Sequence, residues 1–195
     1  LANIILSSTS PRRKQLLEQI NLPFTIQTTQ VNESYPKHLS PKEVVMYLAN
    51  KKAEAISSKQ EDAFVIGADT IVVFENEILG KPESSEEARQ VLKKLSGNTH
   101  SVYTGVSIHY KREKEIFYEK TLVTFWELTN EEIEGYLHSG EPFDKAGSYG
   151  IQGIGAAFVR KIDGDYFSVV GLPVAKVYRQ LRRMGYVGPP FSFSS

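Results

Sequence analysis

The sequence predicts an α/β protein in which a mixed, twisted central sheet is flanked by helices. Three observations carry that expectation. Ile4-Ile5-Leu6-Ser7-Ser8 is an apolar run of strand length, Ser10-Pro11 starts a helix directly after it, and Phe24 to Thr29 alternates, so the chain opens β-α-β. A second helical segment, about 41–58, carries Val44, Val45, Leu48, Ala49 and Ile56 on one face and leads into 63–68, a continuous apolar stretch of buried-strand length. Segments of about 100–110 and 115–128 read as two further strands that should pair antiparallel. With 195 residues, 41% of them apolar, the chain can bury a sizeable core, as one domain or two closely packed lobes.

Taken in order, the first helix is expected over about 11–20, with Ser10 as N-cap and Pro11 at N1, where a missing N–H is no loss. A polar loop through Glu33 and Pro36 follows, and Ser40 caps the helix that begins at Pro41. The strand 63–68 ends in Asp69-Thr70 and resumes as Ile71 to Phe74 before a turn at Glu75-Asn76. Ser84 or Ser85 opens a helix to about Ser96, closed by Gly97-Asn98. Thr129 caps a short helix through His138, a glycine-rich segment spans 146–155, and Ala156 to Ile162 is expected to be a strand. Gly171-Leu172-Pro173 opens the last helix, which ends near Gly185. The globular part is therefore expected over 1–186, with a flexible tail over 187–195 in which Phe191 and Phe193 mark either a contact or disorder.

Composition excludes several function classes. Lysine plus arginine number 23, as do aspartate plus glutamate, so no overall positive field draws the protein to nucleic acid or to a membrane surface. The absence of cysteine removes disulfides and thiolate chemistry. Leu1 to Leu6 is too short to span a bilayer or to act as a secretory core, so a cytoplasmic location is expected.

Ser10-Pro11-Arg12-Arg13, with Lys14 beside it, puts cations in the first turn of a helix, where the macrodipole disfavours each by about 0.3–1 kcal/mol. A bound phosphate would reconcile them; two solvated surface arginines are the equally open alternative. Lys52 falls at the centre of the apolar face of the second helix and Lys51 on its flank, so Lys52 should point inward, to a site or as a snorkelling stem. Asp69 is the leading catalytic candidate, because an ionised carboxylate beside Ile66, Ala68 and Ile71 is expensive unless it meets a metal, a cation or a donor; a capping or ion-pair role is the bland alternative. Glu33 gains interest only as a second oxygen donor to a hard divalent cation. Lys81, in Gly80-Lys81-Pro82, offers a point charge on a stiff turn, and Gln152 offers an amide on a glycine-rich loop that matches neither a P-loop nor a dinucleotide fingerprint. The four histidines lack metal-ligand spacing and no serine elbow appears.

Together, Ser8-Thr9-Ser10-Pro11-Arg12-Arg13, Glu33, Leu48-Ala49-Asn50-Lys51-Lys52-Ala53, Gly67-Ala68-Asp69-Thr70, Gly80-Lys81-Pro82 and Asp144 to Gly153 resemble the Maf family, in order and over nearly the whole chain. Ser7, where that family often has alanine, is a small departure. The resemblance implies a fold like that of the inosine-triphosphate pyrophosphatases, two lobes around a cleft, and hydrolysis of nucleoside triphosphates to monophosphate and pyrophosphate. It implies that Asp69 is the proton acceptor, that Ser8, Arg12, Arg13, Lys52 and Lys81 hold the substrate, and that Glu33 and Asp69 bind Mg²⁺ or Mn²⁺. Arg12, Thr70 and Gln152 match the dTTP/UTP branch rather than the branch associated with 7-methyl-GTP, with Thr70 and Gln152 facing the base. A nucleotide- or protein-binding regulator of division without turnover is the alternative the family's link with septum formation suggests. A single-stranded nucleic-acid binder is disfavoured by the neutral charge balance, and a homodimer is left open as a partner expectation.

Overall fold

The computed structural model describes residues 3–191. Its strands are β1 (Ile4–Ser7), β2 (Thr25–Ile26), β3 (Phe64–Phe74), β4 (Glu77–Leu79), β5 (Thr99–Tyr110), β6 (Glu113–Phe125) and β7 (Val159–Asp163). The α-helices are α1 (Pro11–Gln19), α2 (Pro41–Ser57), α3 (Ser85–Leu95), α4 (Asn130–His138), α5 (Tyr166–Val170) and α6 (Val174–Arg183). The strands form one seven-stranded sheet of order β2-β1-β3-β5-β6-β7, with β4 paired to β3. Because β1 is parallel to β2 and β3 while β4 and β7 are antiparallel to β3 and β6, the sheet is mixed, as expected. The chain divides into two compact units, one of residues 3–69, 104–119 and 171–191, the other of 70–103 and 120–170.

In the first unit β1 pairs with β3 in parallel register, Ile4 opposite Phe64 and Ser7 opposite Gly67. Helix α2 begins where the sequence places it: the Ser40 N–H donates to the Glu43 carboxylate at 2.8 Å, and Val44, Val45, Leu48, Ala49, Ala53 and Ile56 form its buried stripe. Two glycines let that stripe lie against the strands. A Cβ on Gly67 would fall 2.3 Å from the Ala49 carbonyl oxygen and 2.6 Å from the Ala53 nitrogen, and one on Gly105 would fall 2.3 Å from the Val45 carbonyl oxygen. Backbone cannot yield at such distances, so any larger residue at either position drives α2 off the sheet. Ser7, the departure from the Maf pattern, adds a tether by donating its hydroxyl to the Lys52 carbonyl at 2.7 Å.

In the second unit α3 and α4 start at side-chain caps: Ser84 Oγ accepts from the Glu87 N–H at 3.1 Å, and Thr129 and Glu132 form a reciprocal capping box. Leu92, Leu95, Val102, Phe125, Ile133, Tyr136 and Phe158 are buried in its core, the Tyr136 and Phe158 rings edge-on at 4.9 Å. The β3–β4 hairpin turns on Glu75 (φ 48°) and Asn76 (φ 68°), the pair of positive φ angles that a two-residue turn needs to match strand twist.

Three expectations need correction, and one helix is unanticipated. The strand expected over 24–29 shrinks to Thr25–Ile26, because its neighbour among the described residues, β1, is four residues long; beyond Ile26 the Gln27 N–H still reaches β1, at Leu6 O. Asp69-Thr70 does not interrupt β3, since the backbone ladder is indifferent to one polar side chain. The strand expected from Ala156 begins at Val159; Gly153–Phe158 forms 3-10 turns, as its Gly-Ile-Gly-Ala-Ala composition, poor in strand formers, favours. Helix α5 lacks an expectation altogether, although Asp165 caps it by accepting from Ser168 N–H at 2.9 Å. In the tail, Phe191 packs edge-on against Tyr178 of α6 with ring centroids 5.6 Å apart, while Phe193 lies outside the described residues.

Candidate active site

The β1–α1 corner has the geometry its sequence implies. Ser10 is extended (φ −65°, ψ 118°) and its side chain accepts from Arg13 N–H, Pro11 opens the helix, and the first turn contains no acidic residue to balance the dipole. Arg13 turns inward: its Nε donates to the Gly171 carbonyl at 2.8 Å and its Nη1 to Ser8 Oγ at 3.2 Å, while Ser8 Oγ also accepts from Ser10 N–H at 3.2 Å. Burial pulls the Arg13 guanidinium below its usual pKa, opposed chiefly by the negative charge of Asp69 and lowered further by neighbouring Arg12. Lys14, expected as a third cation of the corner, instead pairs with Glu18 at 3.5 Å on the exposed side, one turn along α1.

Lys52 does point inward. Its Nζ lies 2.6 Å from Asp69 Oδ1 and 2.8 Å from Glu33 Oε1, so one ammonium joins two carboxylates. Only 12% of the Asp69 side chain is exposed, against 63% for Glu33, which makes Asp69 the better-fixed group. The placement follows from packing: Gly67 precedes Asp69 by two residues on the same face of β3, and the close approach it permits brings α2 within reach of the carboxylate. The first unit thus sets Ser8 against Arg13 and joins Glu33 and Asp69 through Lys52, with Arg12, Glu33 and Asp69 all close enough to act on the charge of the Arg13 guanidinium.

This donor set fits a hard divalent cation. Mg²⁺ and Mn²⁺ favour oxygen, and Mg²⁺ is typically held by one or two carboxylates plus substrate phosphates rather than by an all-protein cage. Glu33 and Asp69 supply two such carboxylates around a point already occupied by positive charge. Among the described residues no group of three or more His, Cys, Asp or Glu could hold a metal, so the remaining ligands would come from phosphate and water.

Thr70, Lys81 and Gln152 belong to the second unit. Thr70 follows Asp69 in β3 and faces the opposite side of the strand. Lys81 is exposed just beyond β4, where the Gly147 N–H donates to the Gly80 carbonyl at 3.1 Å and joins its turn to the glycine-rich segment. The loop bearing Gln152 is pinned on both sides. Before it, Tyr149 Oη lies 2.7 Å from His100 Nε2, and Gly150 N–H donates to Tyr136 Oη at 3.1 Å. After it, Ile154 and Gly155 N–H donate to the Glu141 carboxylate at 3.0 and 3.2 Å, and the Tyr136 hydroxyl donates to that same carboxylate at 2.9 Å. Gly153, at φ 75°, sits where a Cβ would be 2.7 Å from Glu141 Oε2.

Sequence reading missed these supporting side chains. Tyr136 shares the apolar face of α4 with Ile133 and Leu137, a periodicity that announces burial but not the hydroxyl's partners, and nothing local to Glu141 signals its role. His100 is buried and its pKa is pushed down to about 4 by desolvation; its Nδ1 has no hydrogen-bond partner among the described residues, so a second ring proton there would be a buried orphan. The unfolded chain therefore takes up a proton near pH 6.5 that the folded protein refuses until about pH 4. The resulting stability is present above pH 6.5 and is lost as pH falls toward 4, by about 3 kcal/mol at most. Urea unfolding at pH 4.5 and 7 should show this loss, and His100→Gln should shrink it; an unchanged pH dependence in that variant refutes the assignment.

A family model described as Maf-like protein matches residues 3–184. The chain is 55% identical over 183 residues to a dTTP/UTP pyrophosphatase of Bacillus cereus, covering 94% of this chain and 96% of that protein. It is 52% identical, over the same length and coverage, to a dTTP/UTP pyrophosphatase of Bacillus cytotoxicus. The matched span takes in every candidate residue from Ser8 to Gln152 and the packing that places them, and the chain belongs to the Maf family.

Proposed function

We propose that this protein hydrolyses dTTP and UTP to the nucleoside monophosphate and pyrophosphate. The observation that carries the reading is the Asp69–Lys52–Glu33 cluster: a fixed, nearly buried carboxylate held against an ammonium, with Arg13 near enough to feel its charge. Identity of 55% to a protein named for that activity supports the choice of substrate.

In this reading Asp69 orients a water molecule and accepts its proton as the water oxygen attacks the α-phosphorus. The bond from the α-phosphorus to the bridging oxygen breaks and pyrophosphate leaves. Arg12, Arg13 and Lys52 meet the negative charge that builds on the phosphate oxygens, and Ser8 keeps the Arg13 guanidinium in place. Mg²⁺ or Mn²⁺, held by Glu33, Asp69 and phosphate oxygens, would neutralise charge on the triphosphate. Roles for Lys81 on a phosphate and for Thr70 and Gln152 at the pyrimidine edge rest on the family resemblance, supported by the clamped loop around Gln152. A site that hydrogen-bonds the pyrimidine edge rejects other bases by leaving its own polar groups unpaired. No helix among the described residues is long and apolar enough to cross a membrane, and we place the reaction in the cytoplasmic nucleotide pool.

Pyrophosphate release from dTTP, UTP, CTP, ATP, GTP and modified pyrimidine triphosphates, each with Mg²⁺ or Mn²⁺, tests the reading. Preference for dTTP and UTP is the expected result. Folded protein that releases pyrophosphate from none of them overturns the enzymatic reading in favour of a nucleotide- or protein-binding regulator.

A further inference from the structure

Glu33 sits on a stretch, residues 27–39, with neither helix nor strand, and its side chain is largely exposed, yet its carboxylate meets Lys52 at 2.8 Å. A glutamate so placed loses rotamer and backbone freedom to hold one position, and something must keep it there. The neighbouring lysine does so. Lys51 Nζ donates to the Asn32 carbonyl at 2.6 Å and to the Ser34 carbonyl at 3.4 Å, the residues immediately either side of Glu33. Asn32 Oδ1 accepts from Ser34 N–H at 2.8 Å, closing the turn locally, and the Tyr47 ring, one helical turn earlier, lies 5.3 Å from the same ammonium.

We infer that Lys51 is a positioning residue, which grips the backbone on both sides of Glu33 so that its carboxylate is held at Lys52. Adjacent residues on α2 divide the task. Lys51 on the flank holds the main chain of the loop, and Lys52, about 100° around the helix, meets the side chain that the loop carries. Because α2 is fixed to the sheet at Gly67 and Gly105, the loop inherits its position from the rigid part of the unit. The inference rests on the proposed role of Glu33, and the experiment separates the two.

The test compares Lys51→Met, Lys51→Arg, Glu33→Gln and Lys51→Met/Glu33→Gln in the full chain. It measures UTP turnover, Mn²⁺ binding by electron paramagnetic resonance with a non-hydrolysable UTP analogue, and amide hydrogen exchange at Glu33 and Ser34 in metal-free protein. Outer partners that orient metal ligands typically contribute 10–100-fold, so Lys51→Met should lose about tenfold or more in turnover and Mn²⁺ affinity. Exchange at Ser34 should quicken, Lys51→Arg should retain most of each property, and the double variant should be no worse than Glu33→Gln alone. Unchanged turnover in Glu33→Gln overturns the assignment of Glu33 itself. An impaired Glu33→Gln beside a Lys51→Met of normal turnover and exchange overturns the clamp alone, as do losses that multiply in the double variant.

Discussion

Asp69→Asn should lower turnover of dTTP and UTP by at least about 10²–10⁴-fold, the range that general-base catalysis supplies, while the protein stays folded and continues to bind nucleotide. The substitution is nearly isosteric. Asn at this position keeps an oxygen for the Lys52 ammonium, which retains Glu33 as its second partner, so the contacts that order the cluster survive. What is lost is the capacity to take a proton from water, together with one unit of negative charge. The loss should therefore fall on kcat with KM little changed, and circular dichroism and the melting temperature should stay close to wild type. Near-normal kcat in Asp69→Asn removes Asp69 from the role of base and leaves Glu33 as the carboxylate to examine.

Much of this arrangement is legible in the sequence, and where legibility stops has a physical cause. Local signals are strong at Ser10, Ser84 and Thr129, where a short polar side chain accepts from a helix N–H three residues on, and at Ser40, whose N–H donates to Glu43; each helix starts where these residues place it. The inward aim of Lys52 follows from helical periodicity, and the cost of burying Asp69 among apolar neighbours marks it before any partner is known. The identity of the partner does not follow. That Lys52 meets Asp69 and Glu33 is a tertiary fact, set by the glycine at 67 that allows α2 to approach and by the loop geometry that returns Glu33 to α2. For the same reason Lys51, Tyr136 and Glu141 escape a local reading. Their partners are carbonyls, N–H groups and a hydroxyl, which every sequence possesses and none advertises. Lys14 shows the converse failure: the pattern of charge at the start of α1 is real, but a glutamate one turn along claims its ammonium.

Lys52→Met should be the variant with the widest consequences, because the ammonium serves stability and chemistry together. Its removal leaves Asp69, a carboxylate with only 12% of its side chain exposed, without the cation 2.6 Å away, and leaves Glu33 facing it as a like charge. Breaking such a pair from one side costs about 2–3 kcal/mol here, below the value for a fully buried pair because Glu33 can turn to water and Arg13 still attracts Asp69. Turnover should fall about 10²–10³-fold, the usual loss when one electrostatic contact to a developing phosphate charge is removed. The two effects separate in combination. Adding Asp69→Asn to Lys52→Met removes the orphaned charge, so the melting temperature should rise back toward wild type while turnover stays at its lowest. A divalent cation should act as the missing charge does, so Mn²⁺ should raise the melting temperature of Lys52→Met by more than it raises that of the wild type. If Mn²⁺ stabilises both alike and the double variant melts no higher than Lys52→Met, the two carboxylates do not share the cation-binding point that their common contact with Lys52 defines.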